Sequence, residues 1–246
     1  MTSLAPLLPI LEAAPVRDTA GVLSVMRGIE QQLAPGELAV DGIAWFNRLY
    51  LTVTERVIAA TQEFQRPDYI ATLDVAFANL YFSALKAFAQ DERSPQAPRA
   101  WWPVFAGRDR TDVHPIQFAI AGMNAHINRD LPVALAELWR APNSALPTRE
   151  QQRQDYQRVN VVLAGVETDA KAWFLQGPWQ TAAQALDGAD DAVANFSVTE
   201  AREAAWAQGE ALNALGGPES PLGFAYLEAL DGVVGLAGRG LLIAAR

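Results

Sequence analysis

The chain has 246 residues, no cysteine, two histidines, and 19 basic against 28 acidic side chains, for a formal net charge of −9. With 50% apolar and 19% charged residues and a mean hydropathy of +0.03, it is long enough to bury a core and too apolar to stay disordered. The missing thiols exclude cysteine nucleophiles, disulfide frameworks, iron–sulfur clusters and cysteine zinc sites, and the acidic balance, with no basic stripe to oppose it, argues against a nucleic-acid surface.

In chain order, residues 1–17 carry Pro6, Pro9 and Pro15, which interrupt any helix of useful length, so an extended arm on the domain surface is expected. No cationic region precedes its apolar stretch, and no targeting signal is read there. Helical periodicity then marks 18–34, 38–62, 68–90, 114–139, 148–176, 179–195, 199–215 and 221–245, and no segment alternates with a period of two between hairpin turns. The expectation is a single all-α domain over residues 1–246, about eight helices packed around a buried helix at 114–139.

Several boundaries carry their own chemistry. Thr148 with Gln151 and Ser197 with Glu200 fit capping boxes, and Ser220 before Pro221 reads as an N-cap followed by a first-turn proline. His114 before Pro115 reads the same way. Breaks fall at Pro35 with Gly36, at Pro67, from Pro142 to Pro147, at Gly177 with Pro178, and at Gly216, Gly217 and Pro218. The connection 91–113 is longer than the usual helix–helix link of about 2 to 8 residues. It holds Pro95, Pro98 and Pro103 beside Trp101, Trp102 and Phe105. Those aromatics should pack on the domain, as a cover for a core edge or as a lid over a cavity. The last apolar run is split by Arg239 and is shorter than the roughly 20 residues that span a bilayer. A cytoplasmic protein without a membrane partner is the expectation.

The segment 114–139 holds both histidines. At about 100° per residue, Ile116, Ile120, Met123, Ile127, Leu131, Ala134 and Leu138 form one apolar stripe, and Ala121, Gly122 and Ala125 form a small-residue back that lets another helix approach. Pro132 removes the ladder bond to the Asn128 carbonyl and predicts a kink or break near Asp130. Two polar pairs at i, i+4 flank the stripe, His126 with Asp130 and Asn124 with Asn128. A carboxylate that accepts from one imidazole nitrogen fixes the tautomer and frees the other as a general base near neutral pH. The same pair could be a satisfied core contact, or two ligands of one metal as in helical zinc phosphoesterases. A metal would need further ligands, and His114 lies about 120° round the helix and roughly 18 Å along it.

Three polar residues interrupt other apolar stripes: Asp74 in the series Ile70, Leu73, Phe77, Tyr81, and Asn160 and Glu167 in the series Tyr156, Leu163, Phe174. Each is a buried hydrogen-bonding hub or a pocket residue, and a buried carboxyl has its pKa raised by desolvation and can act as an acid. Trp45, Phe46, Tyr50, Phe77, Tyr81 and Phe82 lie on helices expected to surround 114–139, as core or as pocket wall. No G-x-S-x-G, H-E-x-x-H, P-loop or dinucleotide fingerprint is present, which disfavours serine hydrolases, nucleotide kinases and dinucleotide dehydrogenases.

The run IQFAIAGMNAHINRDLPVAL, with DGIAWFNRLYLTVTERV (41–57), LDVAFANLYFSAL (73–85) and DYQRVNVVL (155–163), resembles a bacterial all-helical family known as domain of unknown function 5995, over about residues 20–180. The resemblance implies a helical fold, occurrence largely in actinobacteria and no established reaction. It maps the family's motif onto Asn124, His126, Asn128 and Asp130.

The leading expectation is a small-molecule enzyme that needs no redox cofactor. His126, Asp130 and Asp74 would do acid–base work, and Asn124, Asn128, Asn160, Glu167, Trp101, Trp102 and Tyr81 would contact substrate in a cyclisation, isomerisation or elimination. The alternatives are a non-catalytic binding or assembly protein with a hydrogen-bonded polar core, and a metal-dependent hydrolase.

Overall fold

The computed structural model describes residues 3–34, 41–141, 146–175 and 197–243, with side chains described throughout except in 166–175. The helices are α1 (Leu8–Leu11), α2 (Thr19–Leu33), α3 (Gly42–Ala59), α4 (Pro67–Gln90), α5 (Trp102–Gly107), α6 (Pro115–Ala125), α7 (Leu131–Arg140), α8 (Arg149–Leu175), α9 (Val198–Ala214) and α10 (Pro221–Leu241). Among the described residues there is no strand, and the helices close around one principal core as a single all-α domain. The helix expected at 179–195 lies outside the described residues.

Side-chain caps fix many of the starts. Asp18 accepts from the Gly21 N–H at 2.7 Å, Asp41 from Ile43 at 2.8 Å, and Ser220 from Gly223 at 2.9 Å. Thr148 and Gln151 form the reciprocal box read from their spacing, and Ser197 Oγ accepts from Glu200. His114 caps α6 through Nδ1 while the Gln117 side chain accepts from the His114 N–H.

The amino-terminal segment is not an extended arm. Ala5–Leu7 forms a 3-10 turn that runs into α1, and Leu4, Leu7 and Leu11 are buried. Pro6 and Pro9 fall within the first two positions of these short helices. A missing N–H costs nothing there, because it would have had no intrahelical partner. Burial of three leucines holds the segment in place.

The buried helix runs from Pro115 to Arg140 through a single π turn, His126–Asp130. The Leu131 N–H closes on the His126 carbonyl, five residues back. The break expected from Pro132 is thus a widened turn just before the proline, a common way of absorbing a lost ladder bond. On its small-residue back α3 comes very close. A Cβ at Gly122 would stand 2.4 Å from the Phe46 ring, and one at Gly42 would stand 2.4 Å from the Phe118 ring. The two helices can therefore touch only with glycine at both positions. α7 is covered by α9, and α6 by α10.

The segment 91–113 is folded rather than loose, and α5 occupies its middle. Trp101 is fully buried, stacked on Phe105 at 5.1 Å and tilted against Tyr81 at 5.1 Å. Asp231 on α10 accepts from the backbone N–H groups of Arg99 and Ala100 at 2.7 and 3.0 Å, which ties the segment down. Of the two roles expected for these aromatics, cover of a core edge or lid over a cavity, Trp101 takes neither in the simple form: it is packed into the core, where its indole N–H finds the Asp130 carboxylate.

Candidate functional site

Asp130 ends the π turn with no exposed surface. Its Oδ2 accepts from Trp101 Nε1 at 2.9 Å and faces His126 Nδ1 at 3.1 Å, while Oδ1 accepts from Arg129 Nη1 at 2.9 Å. An oxygen that accepts from an indole N–H also accepts from the imidazole, so Nδ1 is the protonated nitrogen of His126 and Nε2 carries the lone pair. Arg129 also reaches toward Asp231 Oδ1 at 3.7 Å, linking this cluster to α10.

The imidazole is held by rings. Phe77 stacks on it in parallel, with centroids 3.5 Å apart, and Tyr50 meets it edge-on at 4.5 Å. Phe46, Trp101 and Tyr81 complete the surround. Only 1% of His126 is exposed, and its Nε2 has no hydrogen-bond partner. Burial pushes the imidazole below its ordinary 6.5, although the Asp130 hydrogen bond and charge pull the other way. A neutral ring with a free nitrogen is the form that accepts a proton.

His126 lines a cavity between α3, α4, the π turn, α8 and α9, with about 70 Å³ open to the centre of a water-sized molecule. Its wall is mostly apolar, from Val53, Val57, Ile70, Leu73, Phe77 and Leu163 among others; the other polar groups are Tyr50, Asp74 and Arg202. Asp74 Oδ2 is buried and unpartnered, and burial alone raises its carboxyl from 3.8 to about 7. Burial, with the Asp74 and Asp130 charges, also drives the Tyr50 phenol well above its ordinary value, so it stays protonated.

A family model matches residues 19–244, under the description family of unknown function DUF5995. The chain belongs to this family. The match extends well past the stretch of about 20–180 that carries the visible resemblance. No curated protein and no solved structure matches the chain.

In this DUF5995 chain the structure divides the residues that the sequence singles out. His126 and Asp74 meet at the cavity, and Asp130 stands behind His126 rather than on the cavity wall. Asn124 and Asn128 lie on another side: Asn124 Nδ2 donates to the Val234 carbonyl of α10 at 3.0 Å, and Asn128 Nδ2 donates to Asn124 Oδ1 at 3.1 Å. Asn160 Oδ1 accepts from Arg202 Nε at 2.7 Å and so positions a cavity residue without lining the cavity itself. Trp101 and Tyr81 are core, and Trp102 Nε1 donates to the Ala97 carbonyl at 3.0 Å. The Glu167 side chain lies outside the described residues.

Tyr50 and Phe77, expected as core or as pocket wall, line the cavity, and so does Arg202, which was not among the expected residues. The signal for Phe77 was present, since it follows Asp74 by one residue less than a full i+4 step on the same stripe. Nothing in the spacing marked Arg202, because its place depends on how α9 packs. Among the described residues, no group of three or more His, Asp or Glu side chains is arranged to hold a metal ion.

Proposed function

We propose that the chain is a small-molecule enzyme that needs no redox cofactor, with His126 Nε2 taking a proton and Asp74 giving one at a shared cavity. One observation carries this reading: the wall of a mostly apolar cavity holds three titratable groups with buried, unpartnered atoms, the Tyr50 hydroxyl, His126 Nε2 with its free lone pair, and Asp74 Oδ2 on a carboxyl raised to about 7. An unpaired buried polar atom costs about 1 to 3 kcal/mol, which argues for a ligand that satisfies it. Opposite environments that hold one group as base and the other as acid are the usual arrangement for proton transfer at neutral pH. Asp130 is a positioning residue that fixes the tautomer. Phe77 and Tyr50 hold the ring plane, and the π turn supplies a backbone irregularity of a kind frequent at functional sites.

Size limits the ligand. At roughly 10 to 15 Å³ per water on this measure, the cavity takes about five water-sized groups, well under the roughly 300 to 1,000 Å³ of a drug-sized pocket. The substrate is therefore small or enters with one end. Those isomerisations, eliminations and cyclisations of such a molecule that begin with removal of a proton would use His126 as the base.

A second reading, a non-catalytic binding or assembly protein, draws support from the saturation of Asp130, each of whose oxygens has a donor. Proton exchange separates the two. Small aldehydes, ketones and acids incubated in D₂O with the protein are followed by ¹H NMR. The catalytic reading expects C–H exchange above buffer for at least one compound, reduced about 10² to 10⁴-fold in His126→Gln and in Asp74→Asn. Compounds that bind at the cavity without any exchange above buffer would leave the binding reading in its place.

A further inference from the structure

With one exception, the buried and half-buried arginines described come with carboxylates. Arg48 pairs with Glu30 at 2.7 Å, Arg110 with Asp112 at 2.6 Å and Arg129 with Asp130 at 2.9 Å. Arg108 pairs with Asp41, and Arg153 with Glu203. Arg202 is the exception among the buried and half-buried arginines described. It is 7% exposed and is bonded only to neutral acceptors, Nε to Asn160 Oδ1 at 2.7 Å and Nη2 to the Tyr156 carbonyl at 2.8 Å. Its guanidinium also lies over the Tyr156 ring at 4.1 Å. The adjacent Glu203 is engaged by Arg153. A buried cation whose bonds all go to neutral groups loses its hydration without a bonded counter-charge, and the Glu203 carboxylate, which attracts it from a distance, is shared with Arg153. Arg202 also lines the cavity that holds His126 and Asp74.

We infer that this cavity binds a small monocarboxylate, with the carboxylate on the Arg202 guanidinium and a short branched aliphatic body among Val57, Ile70, Leu73 and Leu163. The proposal rests on the acid–base reading of the same cavity and names its substrate class. A guanidinium matches a carboxylate in shape and charge, and Nη1, the nitrogen without a described protein acceptor, supplies a donor. A monoanion fits better than a dianion such as phosphate. One cation neutralises one charge, and a second negative charge would lie among apolar side chains. The room for about five water-sized groups suits an acid of about the size of isobutyrate.

The test compares isobutyrate with isobutyramide, its neutral isostere, and with phosphate and chloride at matched ionic strength. Thermal melting and NMR titration of His126 are the readouts. The expected result is a concentration-dependent rise in Tm and a shift of the His126 signals with isobutyrate. Isobutyramide should bind at least tenfold more weakly, and phosphate and chloride should give no more than a salt effect. Arg202→Met should melt no lower than the wild type without ligand, since the unpaired cation is gone, and should lose the isobutyrate response. Arg202→Lys should bind at least tenfold more weakly than the wild type. Equal responses to acid and amide, a response retained in Arg202→Met, or no response in the wild type would each overturn the proposal; if Arg202→Met does not fold, the acid and amide comparison on the wild type decides. The two readings fail separately. Exchange of neutral carbonyl compounds without carboxylate binding removes the anion site and leaves the acid–base reading, whereas carboxylate binding without exchange does the reverse.

Discussion

Replacing Asp74 by Asn removes a titration that burial has moved. The carboxyl goes from 3.8 to about 7 on folding, so between those values the folded chain keeps a proton that the unfolded chain has released. Stability therefore falls as pH rises across the interval and levels off above about 7. A shift of about three pH units amounts to about 4 kcal/mol, of which about 2 kcal/mol falls between pH 5 and pH 7 and about 3 kcal/mol between pH 5 and pH 8. The assay is urea unfolding of wild type and Asp74→Asn, followed by circular dichroism from about pH 5 to about pH 8. The wild type should lose about 3 kcal/mol relative to the variant over that range. His126 works in the opposite direction: with its pKa lowered from 6.5, its contribution is present above that value and is lost as pH falls below it. Both proteins carry His126, so it cancels in the difference. Parallel profiles for the two proteins would refute the description of Asp74 as a buried carboxyl without a partner.

Three further outcomes follow from the packing. Trp101→Phe keeps most of the buried ring but removes the donor to Asp130 Oδ2, at a cost of about 1 to 3 kcal/mol in urea unfolding; no loss would mean that the bond does not contribute. Gly122→Ala sets a methyl 2.4 Å from the Phe46 ring and should destabilise by about 1 to 3 kcal/mol through overpacking, visible as a lowered Tm. An unchanged Tm would show that α3 and α6 can separate freely. Asp231→Ala strands the N–H groups of Arg99 and Ala100. Hydrogen exchange of those two amides should accelerate while the amides of α3 stay protected, and uniform acceleration would mean that the segment is not held locally.

Much of the fold was legible in the chain because helices announce themselves locally. The caps at Thr148, Ser197, Ser220 and His114 satisfy backbone donors within three residues, and no tertiary information is needed to see them. The pair His126 and Asp130 was legible for the same reason, since i and i+4 side chains meet on any helical turn. What was misread depended on partners far away in the chain. Three of the four leucines in the first eleven residues, Leu4, Leu7 and Leu11, bury themselves against helices that no local pattern indicates. Asn124 looked equivalent to His126 by spacing, but one side of the helix faces α10 and the other faces a cavity.

The sequence by itself determined an all-helical protein without thiol chemistry, a buried helix bearing both histidines, and a carboxylate one turn from one of them. These follow from composition and from the 3.6-residue period, which act over a few neighbours. Only the tertiary structure decided which nitrogen of His126 is left free, because that depends on a tryptophan donor from residue 101 and a ring from residue 77. It also decided that Asp74 and Arg202, 128 positions apart in the chain, share one cavity. Burial and charge pairing are set by what several helices exclude together, and no single helix carries that information.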